Sequence, residues 1–133
     1  MRHKLSGKKL NRDTNHRKAL IKNLVNQMVM NEKLETTLVK AKVALRHVEK
    51  LVSKAKDNSL HSRRQLIATL SNEKSAHKLI EELAPRFADQ TGGYIKLIRV
   101  ARRRGDNTMV ARLEFVKKNQ PKPEAQKAVS EAK

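Results

Sequence analysis

Excess positive charge is the feature that most constrains what this chain can fold into. The sequence has 31 Lys and Arg residues against 13 Asp and Glu, a formal net charge of +18 in 133 residues. Cations at this density repel one another in a compact fold. Residues 1–18 hold seven of them with one acidic residue, and residues 95–118 hold eight with two acidic residues. We therefore expect two strongly basic segments on either side of residues 19–94, whose mixed charges indicate a scaffold.

The charge indicates a partner, and the rest of the composition narrows the choice. A chain that keeps so much positive charge is expected to work against a dense polyanion, and nucleic acid is the leading one. The sequence has no Trp, one Tyr and two Phe, which argues against a surface that stacks single-stranded bases. We therefore expect contacts to the backbone and shape of a nucleic acid.

Other classes of protein are disfavoured by what the sequence lacks. It has no Cys, so disulfides, Cys-ligated zinc and thiol chemistry are excluded. No apolar segment follows the first residues, and no run approaches the roughly 18 apolar residues that span a bilayer. We expect a soluble protein that is not exported. Its length and its hydrophobic fraction of 38% are sufficient for one modest domain with a single core.

The N-terminal third predicts a basic arm, a helix and a short strand. Residues 1–12 have neither a helical nor a strand period, so we expect an extended, mobile arm. Asp13 or Thr14 can cap a helix that ends near Asn31 and carries an apolar stripe. The polar stretch at residues 33–37 contains two β-branched Thr residues, a weak strand signal that suits an edge position.

Helical spacing then continues over the middle of the chain. Apolar residues at i, i+3, i+4 and i+7 predict a helix from Leu38 to about Lys56. A shorter helix follows Ser59 with Leu60, Leu66, Ile67 and Leu70 as its inward residues. Another begins near Asn72, and Pro85 is expected to help end it.

The pattern changes to strands after Gly92-Gly93, which suit a tight turn and would also let a phosphate approach the backbone. Residues 94–102 are rich in Ile, Leu and Val, residues 104–107 supply turn chemistry, and apolar residues alternate over 109–116. This is typical of a β-hairpin. The tail at 119–133 is expected to be disordered.

Catalysis is not indicated. His3 and His16 flank the arm, and Asp13 is the only carboxylate near them in sequence. General acid–base work or metal binding would require more groups, so hydrogen bonds to phosphate or ribose are a more economical interpretation. No P-loop, nucleophile elbow, zinc-protease or dinucleotide motif occurs. We expect no catalytic residue, metal or other cofactor.

Three consecutive arginines, Arg102, Arg103 and Arg104, precede the turn of the predicted hairpin. A charge run at a turn is often just a solvated loop. A rigid hairpin, however, can present guanidinium groups to phosphates bidentately with little ordering cost, and we favour that interpretation. Three other arginines are weaker candidates for RNA contacts, and each could equally face solvent. They are Arg63, Arg64 and Arg86.

Several segments together resemble one family. They are Met-Arg-His-Lys-x-x-Gly-Lys-x-Leu-Asn-Arg-x-x-x-His-Arg at 1–17, Thr-Thr-Leu-x-Lys-Ala-Lys at 36–42, Pro-Arg-Phe-Ala at 85–88, Gly-Gly-Tyr at 92–94 and Arg-x-Gly-Asp-Asn at 103–107. In order and spacing, residues 1–116 resemble the seventeenth protein family of the bacterial large ribosomal subunit. Val39 departs from the Pro expected in many members.

The resemblance implies an α+β fold with two layers, in which about four helices pack on a small sheet made of the short strand and the hairpin. We expect an RNA-binding arm at 1–12, a single domain at 13–118 and a disordered tail at 119–133, and the tail lies outside the resemblance. The matched positions become candidate RNA contacts, and the neighbouring basic residues join them. The full set is Arg2, His3, Lys4, Lys8, Lys9, Asn11, Arg12, His16, Arg17, Tyr94, Lys96, Arg102, Arg103 and Arg104, with Tyr94 expected to stack or to form a hydrogen bond.

The function implied is that of a structural protein of the large ribosomal subunit in the cytoplasm. Its partners would be large-subunit ribosomal RNA and neighbouring ribosomal proteins, without a membrane, a small-molecule substrate or a second copy of the chain. A free-standing DNA-compacting or regulatory protein is the alternative, because charge alone does not distinguish one polyanion from another. No helix-turn-helix pair or dimerising heptad supports it.

Overall fold

A computed structural model describes residues 7–116 of the chain. The elements, in chain order, are α1 (Thr14–Asn31), β1 (Lys33–Thr37), α2 (Leu38–Ala55), α3 (Leu60–Leu70), α4 (Glu73–Lys78), a π-helical turn (Leu79–Leu83), α5 (Ala84–Arg86), β2 (Ile95–Arg102) and β3 (Met109–Phe115). The first six residues of the predicted arm and the predicted tail lie outside the described residues.

The two long helices form where the apolar spacing predicts them. On α1 the buried residues are Val25, Met28 and Val29, and the α2 stripe runs from Ala41 to Ala55. Because residues three and four apart share one face of a helix, each stripe can be buried while the charged faces remain in water. Asp13, one of the two expected caps of α1, occupies its N-cap position, and Thr37 occupies that of α2, but neither side chain makes a capping hydrogen bond.

The three strands form one antiparallel sheet in the order β1-β3-β2. The weakly predicted strand β1 is therefore an edge strand, as its sequence indicated. On β3, Ala111, Leu113 and Phe115 are buried and alternate with less buried residues, because successive side chains of a strand point to opposite faces. The register shifts between Arg99 and Ala101, which is the signature of a β-bulge.

All these elements share one hydrophobic core. Helix α2 packs on all three strands, and α1 packs against α2 and β1. The helices thus cover one face of the sheet, and the predicted α+β fold with helices on a small sheet is confirmed. No helix within residues 7–116 is long and apolar enough to cross a membrane.

Two details of the helical region differ from the prediction. Pro85 does not end the last helix: the helical run continues to Arg86, with Pro85 in the first turn of α5, directly after the π-helical turn. Because Pro has no N–H to donate, the altered hydrogen bonding of a π turn accommodates it within the run. Leu60, expected to point inward, is 64% exposed at the first position of α3.

Candidate nucleic-acid interface

The described part of the arm, residues 7–12, contains a turn rather than a fully extended chain. The Arg12 N–H donates to the Lys9 carbonyl at 3.2 Å, and both residues between them have positive φ angles, 55° for Leu10 and 52° for Asn11. Asn is one of the few residues that tolerates this left-handed conformation. The turn leaves Lys8 and Lys9 exposed just before α1.

The last arginines of the arm are partly engaged with the chain itself. Arg12 donates to the Leu10 carbonyl at 2.9 Å, and Arg17 donates to the Arg12 carbonyl at 3.4 Å. His16 lies 4.0 Å from Asp13, and both side chains are exposed. Arg2, His3 and Lys4 lie outside the described residues, so their role as RNA contacts stays a prediction.

The hairpin presents its arginines unequally. Arg103 forms an ion pair with Asp106 across the loop, with Nε donating to Oδ1 at 3.2 Å. This pairing lowers the pKa of Asp106 far below its usual range and raises the pKa of Arg103, mainly through the shared hydrogen bond. Arg102 and Arg104 are exposed and make no ion pair within residues 7–116. Those two side chains are therefore free to meet an external anion.

The loop itself is held in a defined shape. The Arg103 N–H donates to the Thr108 carbonyl at 2.9 Å, and the Asp106 carboxylate accepts from the Thr108 N–H at 3.3 Å. Gly105 has φ +100°, which favours Gly at that position. On β2, Lys96 and Arg99 are exposed as well, so four cations of the hairpin are exposed and unpaired within residues 7–116, whereas Arg103 is held by Asp106.

Tyr94 is buried, which corrects the expectation that it stacks on RNA. Its exposed fraction is 1%, and its ring packs edge-on against Phe87 with centroids 5.3 Å apart. The hydroxyl lies 3.2 Å from the Ser53 hydroxyl, and Lys56 lies over the ring at 5.2 Å from its centroid. The Gly92-Gly93 turn before it, with Gly93 at φ +67°, brings this side chain into the core. The hydrogen bonds expected of Tyr94 are thus made within the protein.

Two of the weaker candidates also have partners within the chain. Arg86 forks onto the Glu32 carboxylate at 2.7 and 3.2 Å, and its side chain is 11% exposed. Arg63 donates to the Asn58 side-chain oxygen at 2.8 and 3.0 Å. Arg64 is exposed on α3. The geometry therefore gives Arg86 a structural role that leaves little of its guanidinium for RNA.

A third basic surface was missed by counting charges along the chain. On α2, exposed cations recur every fourth residue at Lys42, Arg46, Lys50 and Lys54, which places them along one exposed side of the helix. They lie next to Lys8 of the arm and to Lys18 and Lys22 of α1. The i, i+4 repeat was visible in the sequence, but the acidic residues on other helix faces concealed it in the overall charge of the segment. We call these seven cations the helical basic surface.

Within residues 7–116, no group of three or more His, Asp or Glu side chains is arranged to hold a metal ion. The chemistry that the described surfaces offer is instead the neutralisation of anions by exposed Lys and Arg.

One family model and several curated relatives are similar to this chain. The model of the family described as "Ribosomal protein L17" matches residues 20–116. The large ribosomal subunit protein bL17 of Acidobacterium capsulatum is 43% identical over 116 residues, which cover 87% of this chain and 72% of that protein. The protein of the same name from Orientia tsutsugamushi (strain Ikeda) is 44% identical over 90% of this chain and 82% of its own length. The one from Wolinella succinogenes is 40% identical over 87% of this chain and its full length.

Proposed function

This chain belongs to the ribosomal protein L17 family, and we propose that it is a structural constituent of the large ribosomal subunit that binds large-subunit ribosomal RNA through its basic arm and its β2–β3 hairpin. Its relatives are named as proteins of that subunit. The ribosomal family is a structural class, and the proposal contains no chemical step. The protein would act in the cytoplasm, on the ribosome, beside neighbouring ribosomal proteins.

One observation supports the choice of surfaces: several cations of the arm and of the hairpin loop are exposed and unpaired, in contrast to Arg86 and Arg112. Arg86 and Arg112 are engaged by Glu32, Glu35 and Glu114. Lys8, Lys9, Arg102 and Arg104 make no such pair within the described range. RNA phosphates can supply the missing negative charge, and binding then gains from the release of counterions.

The way the RNA is recognised follows from the scarcity of aromatic side chains on the surface. Phe87, Tyr94 and Phe115 are all buried, so within residues 7–116 no Phe or Tyr ring is available on the surface for a base to stack on. Recognition would then depend on phosphates, ribose hydroxyls and the shape of folded RNA. Neutralising phosphates from two directions would allow RNA segments that repel each other to pack together.

Co-sedimentation tests the proposal in the cell. A tagged chain expressed in its source organism is followed by mass spectrometry across a sucrose gradient at physiological salt and after a high-salt wash. We expect near-stoichiometric recovery with the large subunit under both conditions. Absence from ribosomal fractions, or complete loss in the wash, would contradict an integral ribosomal protein.

Competition in vitro separates this function from general binding of polyanions. Labelled large-subunit RNA is bound to the purified chain and challenged with duplex DNA and with unlabelled RNA at equal phosphate concentration. The ribosomal role predicts that RNA competes better. Stronger competition by DNA would favour a DNA-compacting protein instead.

A further inference from the structure

A groove between α1 and α2 combines an apolar floor with a rim of lysines. Its volume is about 460 Å³, and its floor includes Val25 and Leu51. Lys18 and Lys22 of α1 line one side, and Lys50 and Lys54 of α2 line the other. The C-terminal end of α3 closes the groove, since Leu70 lines it and the Leu70 carbonyl accepts a hydrogen bond from Asn26 of α1 at 3.1 Å.

The groove opens into a second cleft that reaches the arm. This cleft, of about 390 Å³, is lined by Lys8, Lys42 and Arg46, and it shares His47 and Lys50 with the groove. The helical basic surface is thus continuous from the arm, over α2, into the groove. The N-terminal end of α2 lies near the hairpin, because the helix begins directly after Thr37, which pairs with Val110 just beyond the hairpin loop.

None of the seven cations on this surface takes part in an ion pair within the range from residue 7 to residue 116. The strongest intramolecular pairs involve Glu32, Glu35 and Asp106, which use other basic side chains. One hydrogen bond, from Lys22 to the Ser71 hydroxyl at 2.7 Å, is made to a neutral group. The surface therefore carries an uncompensated positive potential, which is costly unless an anion occupies it.

The spacing of the α2 cations fits a charged polymer. Four residues of α-helix rise about 6 Å, so Lys42, Arg46, Lys50 and Lys54 extend over about 18 Å. A row of single-sign charges at such intervals can meet successive phosphates of one RNA strand. An acidic peptide would be expected to remain within the apolar groove, whereas the row continues beyond the groove to Arg46, Lys42 and the arm.

We propose that the helical basic surface is a third RNA-binding site, in which a sugar–phosphate backbone runs along α2 from the arm into the α1–α2 groove. This inference rests on the proposed function and adds a surface to it. Rim lysines contact the phosphates, and the apolar floor accommodates the faces of riboses or unpaired bases. The arm, α2 and the hairpin then form one continuous interface, and RNA segments held by the arm and hairpin are joined across the helix.

The test compares binding of the full chain to large-subunit ribosomal RNA over a range of salt concentrations. The groove variant is Lys50→Gln with Lys54→Gln. The matched control is Lys33→Gln with Lys74→Gln, two exposed lysines outside all three surfaces. Each phosphate contact contributes about 0.7–0.9 to the slope of log K against log salt. We expect the groove variant to lower that slope by about 1.5 and to weaken binding on the order of tenfold near 0.1 M salt, with the control unchanged.

The outcomes separate this inference from the proposed function. A groove variant that keeps both the slope and the affinity of the unaltered chain overturns the third site, while RNA binding by the unaltered chain would still support the ribosomal role. Lack of RNA binding by the unaltered chain overturns both. If the groove variant binds RNA normally but loses affinity for a poly-Glu peptide, the groove holds an acidic protein segment and the RNA proposal is wrong. Circular dichroism of each variant verifies that the fold is kept.

Discussion

Glu32 is the residue at which the ends of several elements converge. It follows α1 in a left-handed conformation, with φ 59°, and its carboxylate accepts two hydrogen bonds from Arg86 and lies 3.4 Å from Lys78. Its carbonyl accepts from the Phe115 N–H at 3.4 Å. We expect Glu32→Gln to lower the free energy of unfolding by about 1–3 kcal/mol, since hydrogen bonds to charged groups contribute about that much. Urea denaturation measures the change.

Glu35→Gln is the matched control, because the Glu35–Arg112 pair is much more exposed; its effect should stay within about 1 kcal/mol. Equal losses for both variants would contradict the special role of Glu32. The pKa of Glu32 is lowered, chiefly by the hydrogen bond from Arg86. Its contribution should therefore be complete above about pH 4.5 and disappear as the pH falls through the lower folded-state pKa. The difference between the unaltered chain and Glu32→Gln should narrow over that acidic range.

The pKa of His47 can be used to detect an anion in the α1–α2 groove. Its partial desolvation, together with the charge of Lys50, lowers its pKa below the usual 6.5. The charged groups around it in the two clefts are lysines and Arg46. A phosphate in the groove would favour the charged imidazole. We expect bound RNA to raise the pKa of His47, as followed by NMR, and RNA affinity to increase as the pH falls below 7.

Arg102→Ala with Arg104→Ala should retain the RNA-induced rise in the pKa of His47, since those residues lie on the hairpin. Lys50→Gln with Lys54→Gln should abolish it. An unchanged His47 titration in the complex would place the RNA elsewhere.

The three adjacent arginines of the hairpin are not equally available to bind phosphate. If each neutralised one phosphate, replacing all three with Ala would lower the salt slope by roughly two to three. Because Arg103 is occupied by Asp106, we expect Arg102→Ala with Arg104→Ala to account for most of that loss, about 1.5–2. Arg103→Ala alone should change it little. Filter binding at several salt concentrations measures the slopes.

Asp106→Asn supplies the converse test on the same loop. Removing the carboxylate charge frees Arg103 for phosphate, so the salt slope should increase by up to about one. A slope unchanged by Asp106→Asn and reduced by Arg103→Ala would mean that the ion pair opens on binding and that all three arginines contact RNA.

Helices and strands could be predicted where a single local sequence pattern determines the secondary structure. The alternation over 109–116 and the β-branched pair at 36–37 were enough for the hairpin partner and the edge strand. The prediction for Pro85 was wrong because the rule that Pro ends a helix assumes α-helical hydrogen bonding, and the preceding π turn alters that bonding. The expectation for Tyr94 failed because the local sequence does not indicate whether an aromatic residue after a Gly-Gly turn faces solvent or the core; in the fold its ring packs against Phe87.

For the whole molecule, the sequence revealed those parts of the candidate interface that are continuous in the chain. The arm and the hairpin are runs of basic residues, so counting charges located them. The helical basic surface depends on α1 packing beside α2, which brings Lys18 and Lys22 next to Lys50 and Lys54. That side-by-side arrangement comes from the burial of apolar stripes on the opposite faces. Counting charges along the chain therefore does not reveal this surface.

The arm can be deleted to test its role apart from the domain, because most of the hydrogen bonds of residues 7–12 are made within that segment. Among the described residues, this segment is joined to the domain by one hydrogen bond, from Arg17 to the Arg12 carbonyl at 3.4 Å, and Lys8 lines a cleft with residues of α2. We expect a chain lacking residues 2–12 to keep its secondary structure by circular dichroism and to melt within a few degrees of the full chain. It loses five Lys and Arg residues, so its salt slope for ribosomal RNA should fall by roughly three to four. It should also leave the large subunit in a high-salt wash that the full chain survives. Retention of the slope would show that α2 and the hairpin suffice for binding, and loss of the fold would show that the arm is part of the domain.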